Sequence, residues 1–314
     1  MSKKKSFKIL NLIIALTLII SSIPFAGTSY AVVNGMSVTA TSDADVLINE
    51  LLSDEVKAAL GNNAALIQNK TLINPGNSAA TFVTGTAISA GGEPILDFDK
   101  GIVLSTGDVN FLNSGTNTVT NKTKSYGKPG DSDLNNQISG VTKDATALEF
   151  DLFCPADKDG ILFEYVLSSE EYNEYINYPD AFGIFVTSEG KTTNIATIPD
   201  SNNPDVSTQE KISIGTINHT KNVEFYRNNT SSENPKINLP CLNLPSEMDG
   251  FTKTMVAYGK LTPNAYNHIK LVIADAKDDQ LDSNVFIKAK SMRFSKPQYG
   301  ELSLSDFTEI GRAH

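Results

Sequence analysis

In Ala147-Leu148-Glu149-Phe150-Asp151-Leu152-Phe153, apolar Leu148, Phe150 and Leu152 alternate with acidic Glu149 and Asp151. A period of two residues is that of a strand with one face buried and one wet, and no helix accommodates it. Gly160–Leu167 is apolar on both faces, as a central strand would be. Shorter β-prone runs occur at Ala80–Ile88, Gly101–Gly107, Ala181–Thr187, Asn194–Ile198, Lys211–Ile217, Asn222–Tyr226, Phe251–Tyr258, Tyr266–Ala274 and Asn284–Phe294, punctuated by Gly, Pro and Asn. Val32–Ala40 is a β-prone lead, and Thr41 or Ser42 is expected to cap one helix over Asp43–Leu60, with Gly61 past its end. Residues 108–145 are polar and read as an extended loop. Strands do not alternate with helices and there are no internal repeats. The expected class is mostly β, an antiparallel, jelly-roll-like sandwich with one short N-terminal helix.

Lys3, Lys4, Lys5 and Lys8 precede the apolar run Ile9–Ile20, and Ser29-Tyr30-Ala31 offers a small-x-small cleavage site. That combination describes a secretion signal over residues 1–31. A membrane anchor needs about 20 unbroken apolar residues, whereas Ser21, Ser22 and Pro24 interrupt this run. The expected mature chain is secreted and has no membrane span. The signal holds four of the 26 basic residues and none of the 36 acidic ones, so the mature net charge is −14. Such a chain repels phosphate backbones, which argues against nucleic acid as a partner. It suits a soluble surface protein or one that gathers cations. Outside the cell Cys154 and Cys241 could form a disulfide or remain two packed thiols; spacing does not decide.

Beyond Pro297, Gly300-Glu301-Leu302-Ser303-Leu304-Ser305 alternates again. The expected organisation is a signal at 1–31, a β domain at 32–298 and the start of a second β domain at 299–314. The last six residues, Glu309–His314, are the in-frame translation of a common sequencing adapter, so the natural chain is expected to run further.

Two acidic stretches stand at strand ends, where sandwich folds carry binding groups. Ser168–Asp180 follows the central strand, and Asp275–Ser283 joins two strong strands by what reads as a tight turn. Several hard oxygens meeting at a loop edge suit calcium, which takes six to eight at roughly 2.3–2.6 Å. The candidate ligands are Glu170, Glu171, Asp180, Asp275 and Asp282. Solvated loop acids would give the same pattern. Asp131-Ser132-Asp133 imitates an EF-hand start, but Asn136 replaces the required glycine and Thr142 the required glutamate. Asp131 instead reads as a cap on a short helical turn.

Catalysis finds little support. The histidines are His219, His268 and His314, and no zincin, nucleophile-elbow, phosphate-loop or dinucleotide motif occurs. A glycosidase needs only two carboxylates about 5–9.5 Å apart, and Glu170 or Glu171 with Asp275 would serve. The chain has no tryptophan for sugar stacking, leaving Tyr165, Tyr172, Tyr175 and Tyr178 as a partial substitute. The chain therefore reads as no enzyme, with a glycan-active hydrolase as the alternative.

Ser169-Glu170-Glu171-Tyr172-Asn173-Glu174-Tyr175 with Asp180-Ala181-Phe182-Gly183-Ile184-Phe185 resembles the choice-of-anchor L domain of bacterial surface proteins. Gly101–Gly107, Pro129–Leu134, Asp144–Asp151, Asn194–Ala196, Asp249–Thr252, His268–Ala276 and Asp282–Phe286 follow the same pattern in order. The resemblance runs over about residues 40–294 and departs around Pro240-Cys241-Leu242, which looks like an insertion. It implies an exposed module on a secreted or envelope-anchored protein, cell-wall anchored through a C-terminal region beyond this sequence. Three readings follow: a binding or adhesion module for a host or envelope protein or glycan, stabilised by calcium; a glycan hydrolase using the same acids; or a purely structural surface module.

Overall fold

The computed structural model describes residues 36–295, apart from 62–63, 75, 86–88, 90, 114, 120, 201–202 and 231–236. The segments expected to form a secretion signal and the start of a second domain lie outside the described residues.

Two short helices replace the single expected one: α1 (Ala44–Leu51) and α2 (Asp54–Leu60). Leu52 is extended and bridges to Met292, which ends α1. The Ser53 hydroxyl then accepts from the Val56 N–H and starts α2. Asp43, and neither Thr41 nor Ser42, caps α1 by accepting from the Asp45 N–H. A third helix, α3 (Ser132–Ile138), lies inside the expected polar loop, with Asp131 as its cap, accepting from the Asp133 and Leu134 N–H groups.

In chain order the strands are β1 (Ser37–Ala40), β2 (Ile67–Ile73), β3 (Ala79–Val83), β4 (Lys100–Ser105), β5 (Thr142–Cys154), β6 (Gly160–Ser169), β7 (Ala181–Ser188) and β8 (Lys191–Asn194). Then come β9 (Thr197–Asp200), β10 (Asn203–Lys211), β11 (Tyr226–Asn228), β12 (Gly250–Thr252), β13 (Met255–Lys260), β14 (Ala265–Ala276), β15 (Ser283–Lys288) and β16 (Arg293–Ser295). A nine-stranded sheet runs β1-β3-β4-β15-β6-β12-β11, with β13 and β16 also on β6; a five-stranded sheet runs β2-β5-β14-β7-β8. Pairing between these strands is antiparallel throughout.

The alternation of β5 does what its sequence requires. Leu148, Phe150 and Leu152 pack with Ile269, Leu271 and Ile273 of β14 against Phe163, Tyr165, Val285 and Ile287 of the larger sheet. Tyr165 and Phe182 meet across the layers with ring centroids 5.4 Å apart. The outer face of the larger sheet is also apolar. Val103, Val166, Phe251 and Phe286 lie under Ile95, Leu96, Leu112 and Leu244 from the loops. This second cover explains why β6 is apolar on both faces.

Lys211–Ile217 is not a strand beyond Lys211. Its isoleucines enter the core, but past Ile212, whose N–H reaches the Ala196 carbonyl at 3.3 Å, the backbone bonds are local, Thr216 N–H and Ile217 N–H both donating to the Ser213 carbonyl. Cys154 and Cys241 are free. Cys154 ends β5 at one end of the sandwich, whereas Cys241 lies near Asn228, which pairs through Gly250 to Ser169 at the other. The ten residues of β6 between those ends span about 30 Å, far beyond disulfide reach.

Candidate functional site

Six acids gather where strands of both sheets end. Ser169, the last residue of β6, faces Gly250 on one side and Ser283 on the other. The next residues outward are Glu170, flanked by Asp249 and Asp282, and then Glu171. On the second sheet Ala181 faces Ala274, which puts Asp180 beside Asp275. The five acids singled out in the sequence therefore share one rim, although their segments are far apart in the chain. Residues 277–282 are not a tight turn within one sheet: they carry the chain from β14 in the smaller sheet to β15 in the larger.

Alternation sorts these acids into two layers. Tyr165 and Leu167 of β6 point between the sheets while Val166 points outward, so Glu171 follows the first pair and Glu170 the second. By the same count Asp180 and Asp275 belong between the sheets, with Phe182 and Ile273, and Asp249 and Asp282 belong outside, with Phe251 and Phe286. In the inner group, Glu171 Oε2 accepts from the Asp180 N–H at 3.3 Å, and Asp180 Oδ1 accepts from the Ala276 N–H at 3.1 Å. The Ser283 hydroxyl stands beside Asp180 and the Thr106 hydroxyl beside Asp275.

Burial is the dominant fact. Glu170 is 1% exposed, Glu171 2%, Asp275 3%, Asp282 4% and Asp180 6%. Neither carboxylate oxygen of Glu170 makes a hydrogen bond of good geometry, and one oxygen each of Asp180, Asp249, Asp275 and Asp282 has no hydrogen-bonding partner. Desolvation disfavours the charged form. It pushes Glu170 and Glu171 up to about 9 and Asp275 up to about 10, with neighbouring carboxylates adding to the effect. Asp180 is raised well above the carboxylate range, first by burial and then by Glu171. Asp249 rises to about 7 and Asp282 to about 6, their burial partly offset by hydrogen bonds from Asn117 and from the Lys124 backbone. No Lys, Arg or His forms an ion pair with any of the six among the described residues.

The polar stretch read as a loop is a strap across this rim. Asn117 Nδ2 donates to Asp249 Oδ1 at 2.6 Å, and Thr118 binds Glu247 through both its N–H and its hydroxyl at 2.8 Å. The Lys124 N–H donates to Asp282 Oδ1 at 2.8 Å, while the N–H groups of Tyr126, Gly127 and Lys128 all converge on Asp144. Asp144, Glu247 and Asp249 had no place among the candidates. For Asp249 a signal existed: like Asp180 and Asp282, it directly precedes a strand.

Two glycines make room for the rim. A Cβ on Gly107 would lie 1.8 Å from Asp282 Oδ2, and one on Gly250 would lie 2.7 Å from the Tyr172 ring. Tyr172 and Tyr165, two of the four tyrosines considered for sugar stacking, are core residues; Tyr175 at 48% and Tyr178 at 50% are exposed beside the acids.

A family model described as the choice-of-anchor L domain matches residues 36–293. The chain belongs to the choice-of-anchor L family. No curated protein and no solved structure matches it. Membership makes this choice-of-anchor L domain a surface-associated module, cell-surface or secreted, and no helix among the described residues is long and apolar enough to cross a membrane. The segments that carry the family pattern, Gly101–Gly107, Ser169–Tyr175, Asp180–Phe185, Asp249–Thr252, His268–Ala276 and Asp282–Phe286, all reach this rim. Among the described residues no three His, Cys, Asp or Glu side chains stand at the spacing of a finished metal cage.

Proposed function

We propose that this choice-of-anchor L domain is a cation-braced binding module. Calcium held by Glu171, Asp180 and Asp275 between the sheets, with Glu170 and Asp282 at the edge, fixes the 170–180 loop for a partner. The observation that carries this reading is the burial of five carboxylates from two stretches of the chain, none of them ion-paired to a cationic side chain among the described residues. Such a cluster is costly unless something positive enters. All the donors on offer are oxygen, the ligand type calcium prefers. Side-chain rotation would have to draw the carboxylates to ligand distance. The partner, a host or envelope protein or a glycan, would meet exposed Tyr175 and Tyr178. Attachment of the module to the cell wall belongs to the same proposal and would appear as retention of the protein in the wall fraction.

Binding is favoured over catalysis by access. A glycosidic bond must lie between its two carboxylates, and acids this buried leave no space for a sugar ring, whereas a single ion needs little. The test is the thermal midpoint of the purified protein in EDTA and in millimolar calcium. A ligand at a hundred times its Kd adds about 2.7 kcal/mol, so the midpoint should rise by several degrees. An unchanged midpoint would remove calcium from the account.

A further inference from the structure

The acids on the outer layer form a group of their own. Three neighbouring strands, β12, β6 and β15, end in register, and the residues one step beyond Gly250, Ser169 and Ser283 are Asp249, Glu170 and Asp282. Residues opposite each other on adjacent strands project to the same face, and like charges so placed repel. The chain nonetheless sets three side by side, with the Glu170 N–H donating to the Asp282 carbonyl at 3.2 Å. Glu170 is almost wholly buried and neither carboxylate oxygen makes a hydrogen bond of good geometry, although the Lys122 backbone bears on it, and Asp249 Oδ2 is likewise buried and unpartnered. Unmade bonds on charged groups this deep are rare in folded proteins.

The surroundings are built and rich in oxygen. Asn117 Nδ2 bridges Asp249 Oδ1 at 2.6 Å and the Asn229 carbonyl at 3.2 Å, and the Asn229 N–H donates to the Asp249 carbonyl at 2.9 Å. Glu247 lies alongside, with both oxygens bound by Thr118. Gly250 rests on the Tyr172 and Tyr226 rings, which are tilted to each other with centroids 4.9 Å apart. The candidate ligands Glu170, Asp249 and Asp282 are all carboxylates, a hard donor set.

We propose a second divalent-cation site on the outer face of the larger sheet, in which Glu170 and Asp249 are the principal ligands, Asp282 contributes from the adjacent strand and calcium is the ion. It rests on the cation reading above and reassigns Glu170 and Asp282 from the edge of the inner site to an ion of their own, one strand layer away from Glu171, Asp180 and Asp275. Glu170 and Glu171, adjacent in the chain, thereby serve two ions on opposite faces of one strand.

Calcium titration of the full chain by calorimetry, with native mass spectrometry to count bound ions, tests this. The expected count is two, falling to one in Asp249→Asn and in Glu170→Gln, and to one by loss of the other ion in Asp275→Asn. Asp249→Asn combined with Asp275→Asn should bind none. A single ion abolished by Asp249→Asn but kept by Asp275→Asn would retain this site and discard the inner one. A single ion lost only in Asp275→Asn, or a count unchanged in both Asp249→Asn and Glu170→Gln, would overturn the proposal and leave the inner site standing. No binding at millimolar calcium would overturn both. Using two isosteric variants keeps the test decisive if one fails to fold, as read from its circular dichroism.

Discussion

Strand β14 carries two solutions to the same electrostatic problem five residues apart. At Lys270 the chain supplies its own cation. The ammonium contacts Asp131, reaches Asp133 at 2.8 Å and lies 3.9 Å from Glu149, its cross-strand neighbour. Next along the same face His268 bonds Asp151 at 2.8 Å and lies 3.5 Å from Glu149. Glu149 is accordingly held below its usual range, first by His268, whereas at Asp275 burial outweighs the one hydrogen bond from Thr106 and the carboxyl is pushed up to about 10. One cluster is complete as folded. The other is complete only with a proton or a metal, and that difference separates a structural ion network from a candidate site.

Lys270→Met should produce the largest effect. Its side chain is buried and Asp131 with it, so removal strands carboxylates and frees the cap of α3. Breaking a buried pair from one side costs about 3–5 kcal/mol, measurable by urea denaturation, and calcium should not restore it. A loss below 1 kcal/mol would erase the contrast between the two clusters. Gly107→Ala comes next. The new methyl collides with the Asp282 carboxylate, and overpacking costs about 1–3 kcal/mol; the variant should also lose calcium-dependent stabilisation.

The pH response should differ in sign between the rim carboxyls and Glu149. Glu170, Glu171, Asp249, Asp275 and Asp282 all have raised folded values. Their share of stability is therefore present below the unfolded value near 4 and is lost as pH rises through about 6 to about 10. Without calcium the protein should weaken from pH 5 to pH 8, on the order of 1 kcal/mol per pH unit for each acid still protonated in the folded chain. Calcium, which binds the deprotonated acids, should flatten that slope. His268 is also raised, through Glu149 first, so its smaller share likewise fades as pH rises through its folded value. Glu149, being lowered, loses its share only as the solution turns acid. A calcium-free protein more stable at pH 8 than at pH 5 would contradict the burial argument for the rim.

Both clusters were half legible in the sequence. The alternations Glu149/Asp151 and His268/Lys270 stand in the text, as do the acids at 170–171, 180, 275 and 282, because period two marks faces and strand ends mark rims. What local pattern does not carry is pairing. Nothing in the sequence says that β5 lies beside β14, or that Asp249 will end opposite Glu170. The strap was invisible for the same reason: its role is to donate backbone N–H groups, which any residue but proline can do. Lys211–Ile217 misled in the opposite way, since its spaced isoleucines are buried by a turn whose hydrogen bonds are local. β2 was missed because Asn69 takes a positive φ of 52° within a polar strand, shifting its register between Gln68 and Thr71.

The smallest expected change is also the most diagnostic. Asp275→Asn replaces a carboxyl that the folded protein holds protonated at neutral pH without metal, and the amide has nearly the same shape. In EDTA at pH 8 the variant avoids burying an unpartnered acid and should be unchanged or more stable, a gain on the order of 1 kcal/mol. In calcium it should lose the stabilisation that the inner ion gives the wild type. An ordinary structural aspartate would behave in the reverse manner, destabilised by the substitution in both buffers, as Asp131→Asn should be because Lys270 depends on its charge. Measuring the two variants side by side therefore asks of each cluster whether the chain or the solvent supplies its cation.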